Sequence, residues 1–70
     1  MIREGSNVKW KWGTGTATGK VKDTFDHKIS VTIKGTKVTR KGEPGNKAVF
    51  IQQENGSEVL KLESEVEMSE

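Results

Sequence analysis

The chain has 70 residues, 30% of them apolar and 31% charged, so it is one domain at most, burying only about 60% of the surface its unfolded form exposes. That composition lies near the edge at which a chain stops folding. The absence of cysteine excludes a disulfide framework, a thiolate zinc site and a cysteine nucleophile together.

The net charge of +2 conceals an asymmetry, since residues 1–41 carry +7 and residues 42–70 carry −5. Such a split means either a basic surface for an anionic partner or strands of opposite sign that pair on folding. The opening residues Met1-Ile2-Arg3-Glu4-Gly5 lack the apolar stretch of a leader, and no apolar run approaches membrane-spanning length. The expectation is a soluble, cytoplasmic protein with no membrane association.

In chain order, Val8, Trp10 and Trp12 alternate with Asn7, Lys9 and Lys11, the period of a half-buried strand. Residues Thr16 to Lys22 keep a period of two, with small or apolar residues at odd positions and Thr or Lys at even ones. Ile29, Val31 and Ile33 alternate with Lys28, Ser30, Thr32 and Lys34 in a third strand. The loop Lys41 to Lys47 holds the single proline, Pro44. Ala48-Val49-Phe50-Ile51 is apolar on both faces, which suits a strand covered on both sides but leaves its inward parity open. Asn55-Gly56 is a hairpin signal because a type I′ turn needs two residues with positive φ, and Glu58 to Leu62 supplies the return strand.

One helical turn is expected around Glu63-Ser64-Glu65, and the acidic end to Glu70 is expected to fray. Five short strands cannot fill two sheets, so the economical answer is one bent sheet closed into a small barrel, which also removes exposed edges. Its expected core is Val8, Trp10, Val21, Ile29, Val31, Ile33, Ile51 and Val66.

The residues also carry a resemblance. Val8-Lys-Trp10-Lys-Trp12-Gly13 followed by Gly19-Lys-Val21 resembles the opening of SH3-like and Tudor-like barrels. With Ile33-Lys-Gly35-Thr-Lys-Val38-Thr-Arg40-Lys-Gly42, Ala48-Val-Phe-Ile51, Asn55-Gly56 and Glu58-Val-Leu-Lys-Leu62, the chain is similar to the bacterial and fungal hypervirulence-associated protein Tudor domain family. The similarity runs from about Ile2 to Glu67. It implies an all-β, five-stranded SH3-like or Tudor-like barrel, residues 1–70 forming a single domain with its core at about 5–67. The family's molecular function is unknown. Where its members often carry tyrosine at the start of the fourth strand, this chain has Val49. A reader of methylated lysine needs a cage of aromatic faces, and with Trp10, Trp12, Phe25 and Phe50 the only large aromatics and two of them needed in the core, no cage is expected.

Candidate chemistry is sparse. Gly13-Thr-Gly15-Thr-Ala-Thr-Gly19 has the wrong spacing for a phosphate loop and leads into a strand where such a loop needs a helix terminus. His27 is the single imidazole, placed at a turn between Asp26 and Lys28; Thr24 or Ser30 would have to serve it as nucleophile. Asn55-Gly-Ser57 matches a glycosylation acceptor whose residues the turn already uses. No catalytic residue, metal ligand or cofactor is therefore assigned.

The reading is a non-catalytic binding or assembly module that meets a protein or peptide partner at the barrel rim. The site residues are Trp12, Lys11, Phe25, Arg40 and Lys41, from the loops after Trp12 and around Arg40 to Lys47. Trp12 shares parity with Trp10 but ends its strand, so it serves either as a binding aromatic or as a lid over the core. The alternative is a nucleic-acid-binding protein using the lysine-rich face, expected to bind weakly because closure of a barrel sets glutamate strands beside the basic ones. The sequence leaves the oligomeric state open.

Overall fold

The computed structural model describes residues 2–69; Met1 and Glu70, the outer bounds of the expected domain, lie outside the described residues. The alternating segments form strands β1 (Asn7–Trp12), β2 (Gly15–Phe25), β3 (Lys28–Ile33), β4 (Thr36–Lys41), β5 (Ala48–Gln52), β6 (Glu58–Leu62) and β7 (Glu67–Met68), with a 3₁₀ turn at Glu63–Glu65. No α-helix forms among the described residues.

The architecture is all-β, yet it is neither five-stranded nor a closed barrel. One open sheet runs β6-β5-β2-β1-β7, and β3 and β4 form a separate two-stranded sheet. Two features keep the hairpin apart. Its ladder runs the full length of both strands, from Lys28 opposite Lys41 to Ile33 opposite Thr36. Its base is closed by the Gly42 N–H donating to the His27 carbonyl at 3.1 Å and by the tight Glu43–Asn46 bridge. A Cβ at buried Gly42 would lie 2.8 Å from the Ala48 nitrogen, so the chain can pass here only as glycine.

β2 carries both halves of the large sheet. Residues Gly15 to Lys20 pair with β1, and Lys20 to Phe25 pair with β5, with the register shifting between Val21 and Asp23. Such an irregularity bends a strand and increases its twist. At the point of exchange stands Gly19, where an added Cβ would meet Ile51 Cγ2 at 2.5 Å and the Gln52 carbonyl oxygen at 2.9 Å. Near the C-terminus lies β7, whose Met68 and Glu67 pair with Val8 and Lys9, while the Ser69 N–H donates to the Asn7 carbonyl at 2.8 Å.

Turn chemistry differs from expectation at Asn55-Gly56. Asn55 does not adopt a positive φ, and among the described residues Lys34 is the only non-glycine that does, at 50°, followed by Gly35 at 80°. The two-residue turn with both angles positive therefore belongs to Lys34-Gly35. Around Asn55 the chain makes a longer loop, held by Gln53 N–H to Ser57 O at 2.7 Å and by Ser57 N–H to the Asn55 side chain at 2.9 Å.

The main core joins Val8, Trp10, Val21, Val49, Ile51 and Val66. Ala48 and Leu60 are buried as well, and the register puts them on the opposite face of β5–β6, with Phe50 and Leu62. Both faces of β5 are thus covered, which accounts for its unbroken apolar run. Ile29, Val31 and Ile33, expected in the core, are only half-buried. They line the inner face of a hairpin that leans on β6 without entering the main cluster. Phe25 and Phe50 are half-buried too, so Trp10 is the single large aromatic of the core.

Ile51→Ala is expected to cost about 2–4 kcal/mol, a large fraction of the stability of so small a domain. Ile33→Ala should cost about 1 kcal/mol because its site is already half open to water. Urea unfolding of both variants checks the order; equal losses would mean that the hairpin belongs to the main core.

Candidate functional site

The residues singled out from the sequence fall at two separate places. Trp12 closes β1 opposite Gly15, and the chain then reverses through Gly13, whose φ of 59° suits the first residue of a tight hairpin turn. Phe25 closes the other end of β2 opposite Ala48. Ten residue steps along β2, with the bend between them, separate these ends. One ligand contact cannot span both unless it is long.

At the first place Trp12 is 73% exposed, while Trp10 on the same face is 5% exposed. Parity is shared, and cover is not: Trp10 packs in the cluster with Val8, Val21, Val49, Ile51 and Val66, and Trp12, at the end of β1, lies outside it. The lid reading of Trp12 is overturned by that exposure. Lys11, exposed and opposite Thr16, lines a groove of about 460 Å³ between β1 and the 3₁₀ turn, with Glu65 on its far wall.

At the second place Phe25, Arg40 and Lys41 surround the hairpin base. Phe25 packs edge-on against His27, ring centroids 5.9 Å apart. His27 Nδ1 lies 3.3 Å from the Asp26 carboxylate, both side chains mostly exposed. Ser30, one of the two hydroxyls considered as a nucleophile for that imidazole, is engaged across the hairpin with Thr39 Oγ1 at 2.7 Å. Lys41 stands exposed opposite Lys28. Arg40 points the other way, and its Nε donates to Glu65 Oε1 at 3.4 Å. Through Glu65 the hairpin is tied to the groove that Lys11 lines.

The loop around Lys41 to Lys47, expected as a rim, is pinned to the 3₁₀ turn. Asn46 donates to Ser64 Oγ at 3.1 Å and accepts from the Ser64 N–H at 2.9 Å, while Lys47 N–H donates to the Glu63 carboxylate at 2.8 Å and the Glu63 N–H returns a bond to Lys47 O at 2.9 Å. Four bonds hold it in one conformation. Nothing local in the sequence announces this, because Asn46 and Ser64 are 18 residues apart.

A family model described as Hypervirulence associated proteins TUDOR domain matches residues 5–66. The chain belongs to this family. No curated protein and no solved structure matches it. As a Tudor domain it departs from the cage geometry that methyl-lysine recognition requires. Among the described residues the ring pair Phe25–His27 is the only one, Trp10 is buried and Trp12 stands alone on the surface. No group of His, Cys, Asp and Glu able to hold a metal ion occurs among the described residues, and no helix there is long and apolar enough to cross a membrane.

The Glu65 carboxyl is held below its ordinary range, first by the Leu62 N–H that it accepts at 2.8 Å, then, against a smaller burial effect in the other direction, by Arg40. A carboxylate depressed in this way adds stability above its unfolded pKa of about 4.3, and the contribution is lost as the pH falls through the lower folded value. Both side chains of the pair are more than a third open to water, so Glu65→Gln should cost under about 1 kcal/mol at neutral pH. Urea titrations at neutral pH and below the folded pKa check it: the deficit should shrink in acid, and a deficit independent of pH would assign Glu65 a packing role alone.

Proposed function

We propose that this Tudor-family chain is a non-catalytic binding module that holds a protein segment against Trp12 at the β1–β2 tip. The observation that carries the reading is the contrast between the two tryptophans, 73% against 5% exposed on one face of one strand. An aromatic side chain can bury about 150–250 Å², and at about 25 cal/mol per Å² most of that gain is unrealised in the free chain. A partner segment realises it. Lys11, next to Trp12 in the chain, lines a groove with Lys9, Glu65 and Glu67, which offers charges of both signs to a segment that extends past the tryptophan, with Arg40 holding Glu65 in place. Phe25 and Lys41, at the far end of β2 and at the hairpin base, fall outside this contact.

Trp12→Ala should change stability by less than about 1 kcal/mol, as an exposed residue does, whereas Trp10→Ala should cost about 3–5 kcal/mol. In pull-downs from nuclease-treated lysate the Trp12 variant should lose the bound protein while remaining folded. Recovery unchanged by Trp12→Ala, or recovery from the wild type that vanishes with nuclease, would overturn the reading.

A further inference from the structure

The segment Lys28 to Lys41 contains five cationic residues, Lys28, Lys34, Lys37, Arg40 and Lys41, and no carboxylate. Folding sorts them. Arg40 lies on the inner face with Ile29, Val31, Ile33 and Val38, all half-buried, whereas the outer face presents Lys28, Ser30 and Thr32 on β3 and Lys37, Thr39 and Lys41 on β4, all exposed. β3 and β4 form ladders only with each other, and the acidic contact given for the hairpin, Arg40 with Glu65, involves an inner-face residue, so the outer face keeps its positive charge.

Two features of this face oppose the stability of the free chain. Lys28 and Lys41 are direct cross-strand partners, which brings their Cβ atoms to within about 5.5 Å, a like-charge placement that destabilises a hairpin. Lys34 occupies the left-handed region at φ 50°, at a cost of roughly 1–2 kcal/mol relative to the preferred region, in a turn where asparagine or glycine is favoured. Both costs keep a cation on the ribbon. An anionic ligand would relieve the first.

We propose that the outer face of the β3–β4 ribbon binds the phosphate backbone of double-stranded DNA without regard to sequence. The dimensions suit a duplex: a two-stranded ribbon fits the major groove, about 12 Å wide. Lys37 and Lys41 lie four residues apart on one face of β4, about 13 Å along the strand, so the charges at tip and base can reach phosphates on opposite walls. The chemistry suits phosphate and not bases. Lysines and hydroxyls line the face, with none of the arginine, asparagine or glutamine side chains that read base edges in pairs of hydrogen bonds. Single strands are disfavoured as the occupant because the face carries no aromatic on which a base could stack. This surface is distinct from the Trp12 contact, and the two stand or fall separately.

The test is a fluorescence-anisotropy titration of the whole chain with two short duplexes of unrelated sequence, between about 50 and 200 mM salt. If Lys28, Lys34, Lys37 and Lys41 each neutralise one phosphate, log K should fall against log salt with a slope of about −3.6, a loss of about 150-fold over that range, equal for the two duplexes. The variant K28Q/K37Q/K41Q should bind more weakly, its slope falling to about −0.9, while Trp12→Ala should bind as the wild type does. Unfolding of Lys28→Gln alone serves as a check on the premise, since relief of the like-charge pair should leave the domain as stable as the wild type or more so. Absence of binding at the lowest salt, a slope unchanged in the triple variant, loss of binding in K9Q/K11Q/K20Q/K22Q in its place, or displacement of the duplex by polyglutamate at equal charge would each overturn the proposal.

Discussion

The close approach of β2 to β5 at Gly19 is the constraint on which the rest of the molecule depends. With Ile51 Cγ2 and the Gln52 carbonyl within 3 Å of where a Cβ would stand, no side chain can occupy the position without displacing backbone or core. The contact lies where β2 stops pairing with β1 and begins pairing with β5. One strand can serve two partners only if it coils sharply, and a side-chain-free residue followed by a register shift supplies that. Val21 and Ile51, both fully buried, pair immediately beyond it. The core is therefore built around the bend, with Val8 and Trp10 reaching it from one half of the sheet and Val49 and Ile51 from the other.

A second consequence is the independence of the hairpin. β2 takes β1 as its ladder partner over Gly15–Lys20 and β5 over Lys20–Phe25, while β3 and β4 pair with each other alone. What ties them to the body is partly apolar, through an inner face leaning on β6, and partly polar, through Arg40 and Glu65. Glu65 holds the end of β6 through the Leu62 N–H as well. The 3₁₀ turn is thus a junction: it caps β6, anchors the loop at Asn46 and Lys47, and meets the hairpin, with no buried charge left to desolvate.

This arrangement separates the molecule's available surfaces. The β1–β2 tip projects a tryptophan beyond the core, and the hairpin turns a cationic, hydroxyl-rich face to solvent. They differ in what they offer a partner, apolar area in one case and uncompensated charge in the other, so water and salt act on them in opposite senses. β2 joins them in sequence, while the loop from β4 to β5 is tied to the 3₁₀ turn by four hydrogen bonds.

Strand parity was legible in the sequence because it is a local property: alternation at Val8 and Trp10, and at Lys28 to Ile33, puts residues on faces whatever those faces later meet. The strand content, the single helical turn at Glu63 to Glu65 and the family followed from such local signals. Thr36–Lys41 was harder to see as a strand, because its turn carries Lys34 at a position where asparagine or glycine is favoured, and the asparagine that gave the strongest turn signal sits in a longer loop. Which faces become core was not local at all. Ile29, Val31 and Ile33 alternate as cleanly as Val8 and Trp10 yet remain half-buried, and Trp12 keeps the parity of Trp10 yet stands in water, because cover depends on where distant segments end up. The sequence by itself determined β1, β2, β3, β5 and β6 and the chemistry their faces carry; only the tertiary structure decided the pairing of β4 and β7, core membership, and the meeting of Lys11 with Glu65, to which Arg40 is tied. The reason is that ladder pairing and burial are set by segments far apart in the chain, and a period of two carries no information about which of them arrives.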